Sequence, residues 1–280
     1  MNTTALYDKV CMAASRHTTH SYSTSFSLGI RSLHPTLRDP IHAIYGFVRF
    51  ADEIVDTFHA HDKATLLQRF REDTHRAVTE RISMNPILHS FQSVVHKFGI
   101  DAELYDTFMD SMAMDLKEVA HDQRSYETYI LGSAEVVGLM CLRVFCNGDK
   151  KLYERLRPAA MRLGAAFQKV NFLRDFRDDL MSLGRTYFPG LELRSMDGEM
   201  KRRIEQDIQG DLDAALKGIR ELPKKARFGV YLAYVYYFAL FRKIQALPTD
   251  RMLKERIRVR NRRKLALLTT SYLRHSFGVL

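Results

Sequence analysis

Apolar residues return at three- and four-residue steps through most of this chain, and little interrupts them. Glycine (14) and proline (7) are sparse among 280 residues, so strands and tight hairpins have few places to form. That period predicts an all-α protein. Helices are expected over 4–21, 38–57, 62–82, 86–98, 101–120, 124–146, 149–182, 197–220, 225–246 and 250–275. Turn chemistry sets the breaks, at His34-Pro35, Asn85-Pro86, Asn147-Gly148, Phe188-Pro189-Gly190, Leu222-Pro223 and Leu247-Pro248. None is long enough to act as a linker, which leaves residues 1–280 as a single domain.

The chain is 46% hydrophobic and 27% charged without low-complexity tracts, an ordinary globular balance. Its net charge of +10 asks for an anionic partner but does not choose among nucleic acid, a phospholipid surface and a phosphorylated small molecule. Cys11, Cys141 and Cys146 form no metal-ligand pattern, and an odd number outside a disulfide framework suits a reducing compartment. All three are read as packing residues. The segment Met1 to Asp8 lacks the basic and apolar regions of a secretory signal, so a cytoplasmic location is expected. The longest apolar run, Phe228 to Phe241, falls short of the ~18 residues of a membrane span and carries four tyrosines, so it is read as a buried helix and no transmembrane segment is expected. In Leu131 to Gly138 small residues sit inside a helical pattern, which permits close approach of a neighbouring helix or of a bulky ligand.

Two segments share the form Asp-x-x-x-Asp: Asp52 with Asp56, and Asp175 with Asp179. Each pair lies on one side of a helix. Magnesium is held by one or two carboxylates together with the phosphates of a substrate, so two such helices could grip a diphosphate through bridging ions. Acidic pairs at this spacing are also common on solvated helix faces. In the first helix Ile41, Tyr45 and Val48 project within about 40° of Asp52, so the carboxylate continues an apolar stripe and needs a partner or a metal. In the second, Gln168, Asn171, Asp175 and Asp179 form a polar stripe opposite Phe172, Leu173, Phe176 and Leu180, and spacing alone would turn that stripe to solvent.

The segments Tyr22-Ser-Thr-Ser-Phe26 and Ala43-Ile-Tyr-Gly-Phe-Val-Arg-Phe-Ala-Asp-Glu-Ile-Val-Asp56 resemble the first signature of phytoene and squalene synthases. Gln168-Lys-Val-Asn-Phe-Leu-Arg-Asp175, with Asp179 and Gly184-Arg-Thr-Tyr-Phe-Pro189, resembles the second. Order and separation agree over nearly the whole chain, including Met114-Asp115 ahead of Tyr126 and the basic run Arg256 to Lys264, and the likeness is strongest to bacterial phytoene synthases. Two departures are visible: Tyr22 stands where relatives often have histidine, and Phe176-Arg177 replaces a smaller pair. Neither removes a carboxylate.

The resemblance implies the all-helical isoprenoid synthase fold around a central cavity, with Asp52, Asp56, Asp175 and Asp179 as ligands of bridging magnesium, or of manganese in its place. Arg49, Arg174, Arg185, Tyr187 and Arg256 match family positions near the diphosphates, while Ser23, Ser25, Phe26, Tyr45, Gln168 and Asn171 match positions lining the reacting ends. The implied reaction joins two geranylgeranyl diphosphates head to head into phytoene, through a cyclopropylcarbinyl intermediate and with no need of NADPH. A farnesyl-using dehydrosqualene or squalene synthase is the alternative. A basic helical nucleic-acid-binding protein is the distant one, and it leaves Asp52 on its apolar stripe unexplained. The eight Lys and Arg between Arg251 and Lys264 are read either as a solvated helix face or as a peripheral contact with the inner face of the membrane.

Overall fold

Helix follows helix along the chain, and no β-strand occurs among the described residues. The computed structural model describes residues 3–116, 122–183, 187–190, 197–252, 257, 267, 268 and 271. The order is α1 (Thr3–Tyr22), α2 (Thr24–Arg31), α3 (Pro35–Asp56), α4 (Lys63–Glu80), α5 (Pro86–Phe98), α6 (Ala102–Met114) and α7 (Gln123–Ile130). A π-helical turn, Leu131–Glu135, leads into α8 (Val136–Cys146). Then come α9 (Lys150–Leu183), α10 (Gly198–Glu221), α11 (Lys224–Gln245) and α12 (Thr249–Met252).

Local chemistry explains most of the ends. Asn85 accepts hydrogen bonds from the N–H groups of Ile87 and Leu88, Pro86 occupies the first helical position, and Gly99 at φ 62° closes α5. Helix α2 departs from expectation. Ser23 breaks α1, and its hydroxyl accepts from the Phe26 N–H at 3.1 Å, so eight residues that looked like a connection start a helix of their own. Helix α3 begins at Pro35 and not at 38, because proline is accommodated in a first turn. Helix α6 stops at Met114, short of the expected 120, and most of the expected 250–275 helix lies outside the described residues.

Helix α3 has two working faces. Its back packs on α4, α5 and α6 through Phe47, whose ring stacks on Phe91 at 3.9 Å and touches Phe70 and Phe108. Phe47, Phe91 and Phe108 are fully buried, which anchors the helix and turns its other face inward. Helix α9 is held from behind by ions: buried Lys169 donates to Asp211 at 2.7 Å and to Asp207, and Arg162 donates to the same Asp211 at 2.9 Å, tying α9 to α10.

The small residues after Leu131 allow the close helix approach that the sequence left open, and some of them also border the central cavity. A Cβ on Gly132 would lie 2.7 Å from the Thr107 carbonyl of α6, and one on Gly164 would lie 2.5 Å from the Ala134 carbonyl in the π turn. Backbones meet there, while Ser133, Ala134, Val137 and Gly138 also line the central cavity. The stretch Gln123–Cys146 is long and apolar enough to cross a membrane by length and composition alone, and in this fold it packs between α6 and α9. The Phe228 to Phe241 run lies inside α11 with its four tyrosines buried. Gly164→Ala should destabilise the protein by about 1–3 kcal/mol, since backbone and not a flexible side chain must yield; a lowered urea midpoint with unchanged slope checks it.

Candidate active site

A cavity of about 740 Å³ runs through the bundle, walled by α2, α3, α8, α9, α10 and α11. Along α3 the residues facing it are Ile41, Ile44, Tyr45, Val48, Arg49, Asp52 and Asp56, the single stripe that the periodicity indicated. Along α9 they run from Leu156 to Asp175, nineteen residues or about 28 Å at the helical rise. The polar stripe of α9 therefore does not face bulk solvent: Gln168, Asn171 and Asp175 turn into the cavity, because the Lys169 side of the helix is already taken by α10.

On each helix the carboxylates come last, Asp52 and Asp56 after Ile41 and Ile44 along α3 and Asp175 after the apolar run from Leu156 to Phe167 along α9, so each wall is apolar at one end and charged at the other. Asp52 is half-buried, and its carboxyl is pushed up to about 8 by burial first and then by Asp56, with Asp115 and Glu53 adding to the effect and Arg49 opposing it. Such a group asks for a cation. Arg49 donates to Glu53 one turn on, with Nε at 3.0 Å, and its guanidinium lies 4.3 Å over the Tyr22 ring. Arg174 forks onto Asp175, with Nε 3.0 Å from both oxygens. Both cations also line the cavity.

Below the charges the wall is aromatic. Phe26 lies 5.8 Å from Tyr45 and 6.2 Å from Tyr237, and Tyr237 stacks on Phe167 at 3.8 Å while its hydroxyl donates to Asn171 at 3.3 Å. Burial pushes the Tyr45 phenol up to about 12. Ser23 lines the cavity, whereas Ser25 sits on α2 away from the wall. Tyr187 reaches the cavity from the segment 187–190 and stacks on Phe172 at 4.1 Å. Cys141 proves to be a cavity-lining residue, while Cys11 and Cys146 are buried as packing groups. Arg185 and Arg256 lie outside the described residues, as does the side chain of Asp179 on α9.

Two further polar groups join the wall. The Tyr129 hydroxyl donates to Asp115 Oδ2 at 2.8 Å, both residues are buried, and both line the cavity. Burial and the neighbouring Asp115 hold the phenol well above its ordinary range. Asp115 caps α6 and Tyr129 ends α7, so no helical period links them. The signal that could have pointed there is the Met114-Asp115 match, which marks one partner only.

The donors fit a hard divalent cation in kind: all are carboxylate oxygens, on two helices that line one cavity. Among the described residues no three acidic, histidine or cysteine side chains converge into a closed cage. A closed cage is not what magnesium requires, since it keeps waters and takes substrate phosphates as ligands.

Comparison with known proteins agrees with this architecture. Residues 19–263 match the squalene/phytoene synthase family model. The chain is 28% identical over 279 residues to the chloroplastic phytoene synthase of Daucus carota, covering 92% of this chain and 69% of that one. It is 32% identical over 180 residues to the presqualene diphosphate synthase of Sinorhizobium fredii, covering 63% and 62% respectively. The chain thus spans about two thirds of the length of these curated relatives. Among solved structures, a dehydrosqualene synthase superposes with TM-score 0.81 at 18% identity over 96% of this chain and 98% of that one. Squalene synthase HpnC from Alicyclobacillus acidocaldarius superposes with TM-score 0.75 at 20% identity over 86% and 95%. With the family model matched over most of its length and the same helical fold around a cavity, the chain belongs to the squalene/phytoene synthase family.

Proposed function

We propose that this protein condenses two molecules of geranylgeranyl diphosphate head to head into phytoene, the committed step of carotenoid synthesis, with magnesium bound at Asp52, Asp56, Asp175 and Asp179. The observation that carries the reading is one long apolar cavity whose charged end holds carboxylates and arginines together, in a member of this family. When bound, magnesium supplies the positive charge that stabilises a departing diphosphate. Arg49 and Arg174 add fixed positive charge to the same end. The faces of Tyr45, Phe26, Tyr237 and Phe167 surround the place where an allylic cation forms, with water kept out by the apolar wall.

The C2=C3 double bond of the second substrate attacks that cation and a proton is lost, giving a cyclopropylcarbinyl (prephytoene) diphosphate. A second ionisation, rearrangement and proton loss give the conjugated triene without a reductant. Tyr129, hydrogen-bonded to Asp115, is the buried polar pair available to pass those protons on. The C20 substrate is favoured over the C15 alternative by the reach of the α9 wall, about 28 Å from Asp175 to Leu156, and by the small Ala159, Ala160 and Gly218 at its far end. Three free cysteines support a reducing, cytoplasmic setting.

Incubation with geranylgeranyl or farnesyl diphosphate, with and without NADPH, should give a C40 triene from the C20 substrate without NADPH. EDTA should stop the reaction and magnesium restore it; a C30 product alone would move the reading to the farnesyl-using alternative. Asp52→Asn and Asp175→Asn should each abolish turnover with helicity intact by circular dichroism. Asp52→Asn should not lower the urea midpoint, since it replaces a carboxyl whose ionisation burial and Asp56 oppose. Ala160→Phe, fifteen residues or about 22 Å below Asp175, should suppress C40 product and spare C30 product in a competition between the two substrates.

A further inference from the structure

The end of the bundle remote from the carboxylates is a basic surface separated from the cavity by a single layer of residues. Helix α3 starts there, seventeen residues or about 25 Å before Asp52. Two turns meet at this end, α2 to α3 and α10 to α11, joined where the His34 N–H donates to the Lys225 carbonyl at 2.9 Å. Arg38 donates to the carbonyl of Leu33 and Arg227 to that of Leu222, each at 3.0 Å. Leu33 and Leu222 are buried, and their side chains line the cavity from beneath.

Arg31, Arg220, Lys224 and Lys225 stand exposed around these two clasped turns. The neighbouring acids are engaged elsewhere, Asp39 with Arg16 at 2.6 Å and Glu221 with Arg155 at 3.2 Å. Arg31 and Arg220 lie in the last turns of α2 and α10, where a helix favours cations, but nothing local asks for Lys224 and Lys225 at the start of α11. Neither α3 nor α11 has an acidic residue in its first turn, and cations are disfavoured at the positive end of a helix. Lys224 and Lys225 therefore add positive charge against local preference beside two arginines, which makes this end a surface for a polyanion.

We propose that this end of the bundle docks on an anionic lipid surface. A single-stranded nucleic acid would need aromatic faces on which to stack, and the exposed aromatics among the described residues, Tyr22 and Phe58, belong to other parts of the molecule. A bilayer needs cations near its headgroups, and here an apolar cavity lies directly behind them, so docking sets a greasy chain inside the protein next to the lipid phase. The residues of this surface are not those of the basic run Arg251 to Lys264, most of which lies outside the described residues, and docking here does not depend on which prenyl chain the cavity holds.

Flotation of the purified full chain with phosphatidylcholine vesicles, with or without phosphatidylglycerol, tests the assignment. The wild type should bind the anionic vesicles only, and less as salt rises. The triple variant Arg31→Glu, Lys224→Glu, Lys225→Glu should bind at least about a hundredfold more weakly, at about fivefold for each cation removed from an anionic surface. Its fold is checked by circular dichroism, so the result does not depend on substrate or turnover, and the milder Lys224→Gln, Lys225→Gln pair should show a partial loss. Vesicle binding unchanged in both variants, binding lost only on reversing the Arg251 to Lys264 charges, or charge-dependent binding of single-stranded RNA without vesicle binding would each overturn it.

Discussion

A carboxylate held on the wall of an apolar cavity dictates how the helices around it must be fixed. Asp52 continues the stripe of Ile41, Tyr45 and Val48, with Asp56 one turn further and Asp115 near by, so burial and its neighbours both oppose its ionisation. Left to itself such a cluster opposes folding. The bundle tolerates it because the back of α3 is anchored by the Phe47 stack on Phe91, which leaves the helix no alternative orientation.

The facing helix follows the same logic with different forces. A polar stripe on α9 would ordinarily turn outward, but Lys169 and Arg162 on another of its sides are bound to Asp207 and Asp211 of α10. A buried ion group of this kind adds modest net stability, yet separating one partner leaves a charge stranded, so it fixes orientation strongly. The glycines at 132 and 164 then let α6, the π turn and α9 approach backbone to backbone, so that this part of the wall is built of small side chains.

Much of this was legible in the residues themselves. The α3 stripe predicted its own inward face, the Asn85-Pro86 signal placed α5, and the resemblance of the two aspartate segments indicated the family that the wider comparison shows. Other features were out of reach for identifiable reasons. Helix α2 is only eight residues long and depends on the Ser23 cap. Spacing alone turns the α9 stripe to solvent, because periodicity shows which residues share a face and not what covers it; only the family resemblance put Gln168, Asn171 and Asp175 at the site. The Tyr129 and Asp115 pair joins the ends of two different helices, and no spacing rule spans them.

That the chain is helical, where most of its helices begin and end, and that each carboxylate pair shares one side of a helix can all be read from the residues, because these properties follow from a 3.6-residue period and from turn chemistry. Tertiary structure decided that the two sides look into the same cavity, how far that cavity extends beneath them, and that its remote end lies under a basic surface. Those properties depend on which helix faces are already occupied by neighbours distant in sequence, and local periodicity carries no record of them.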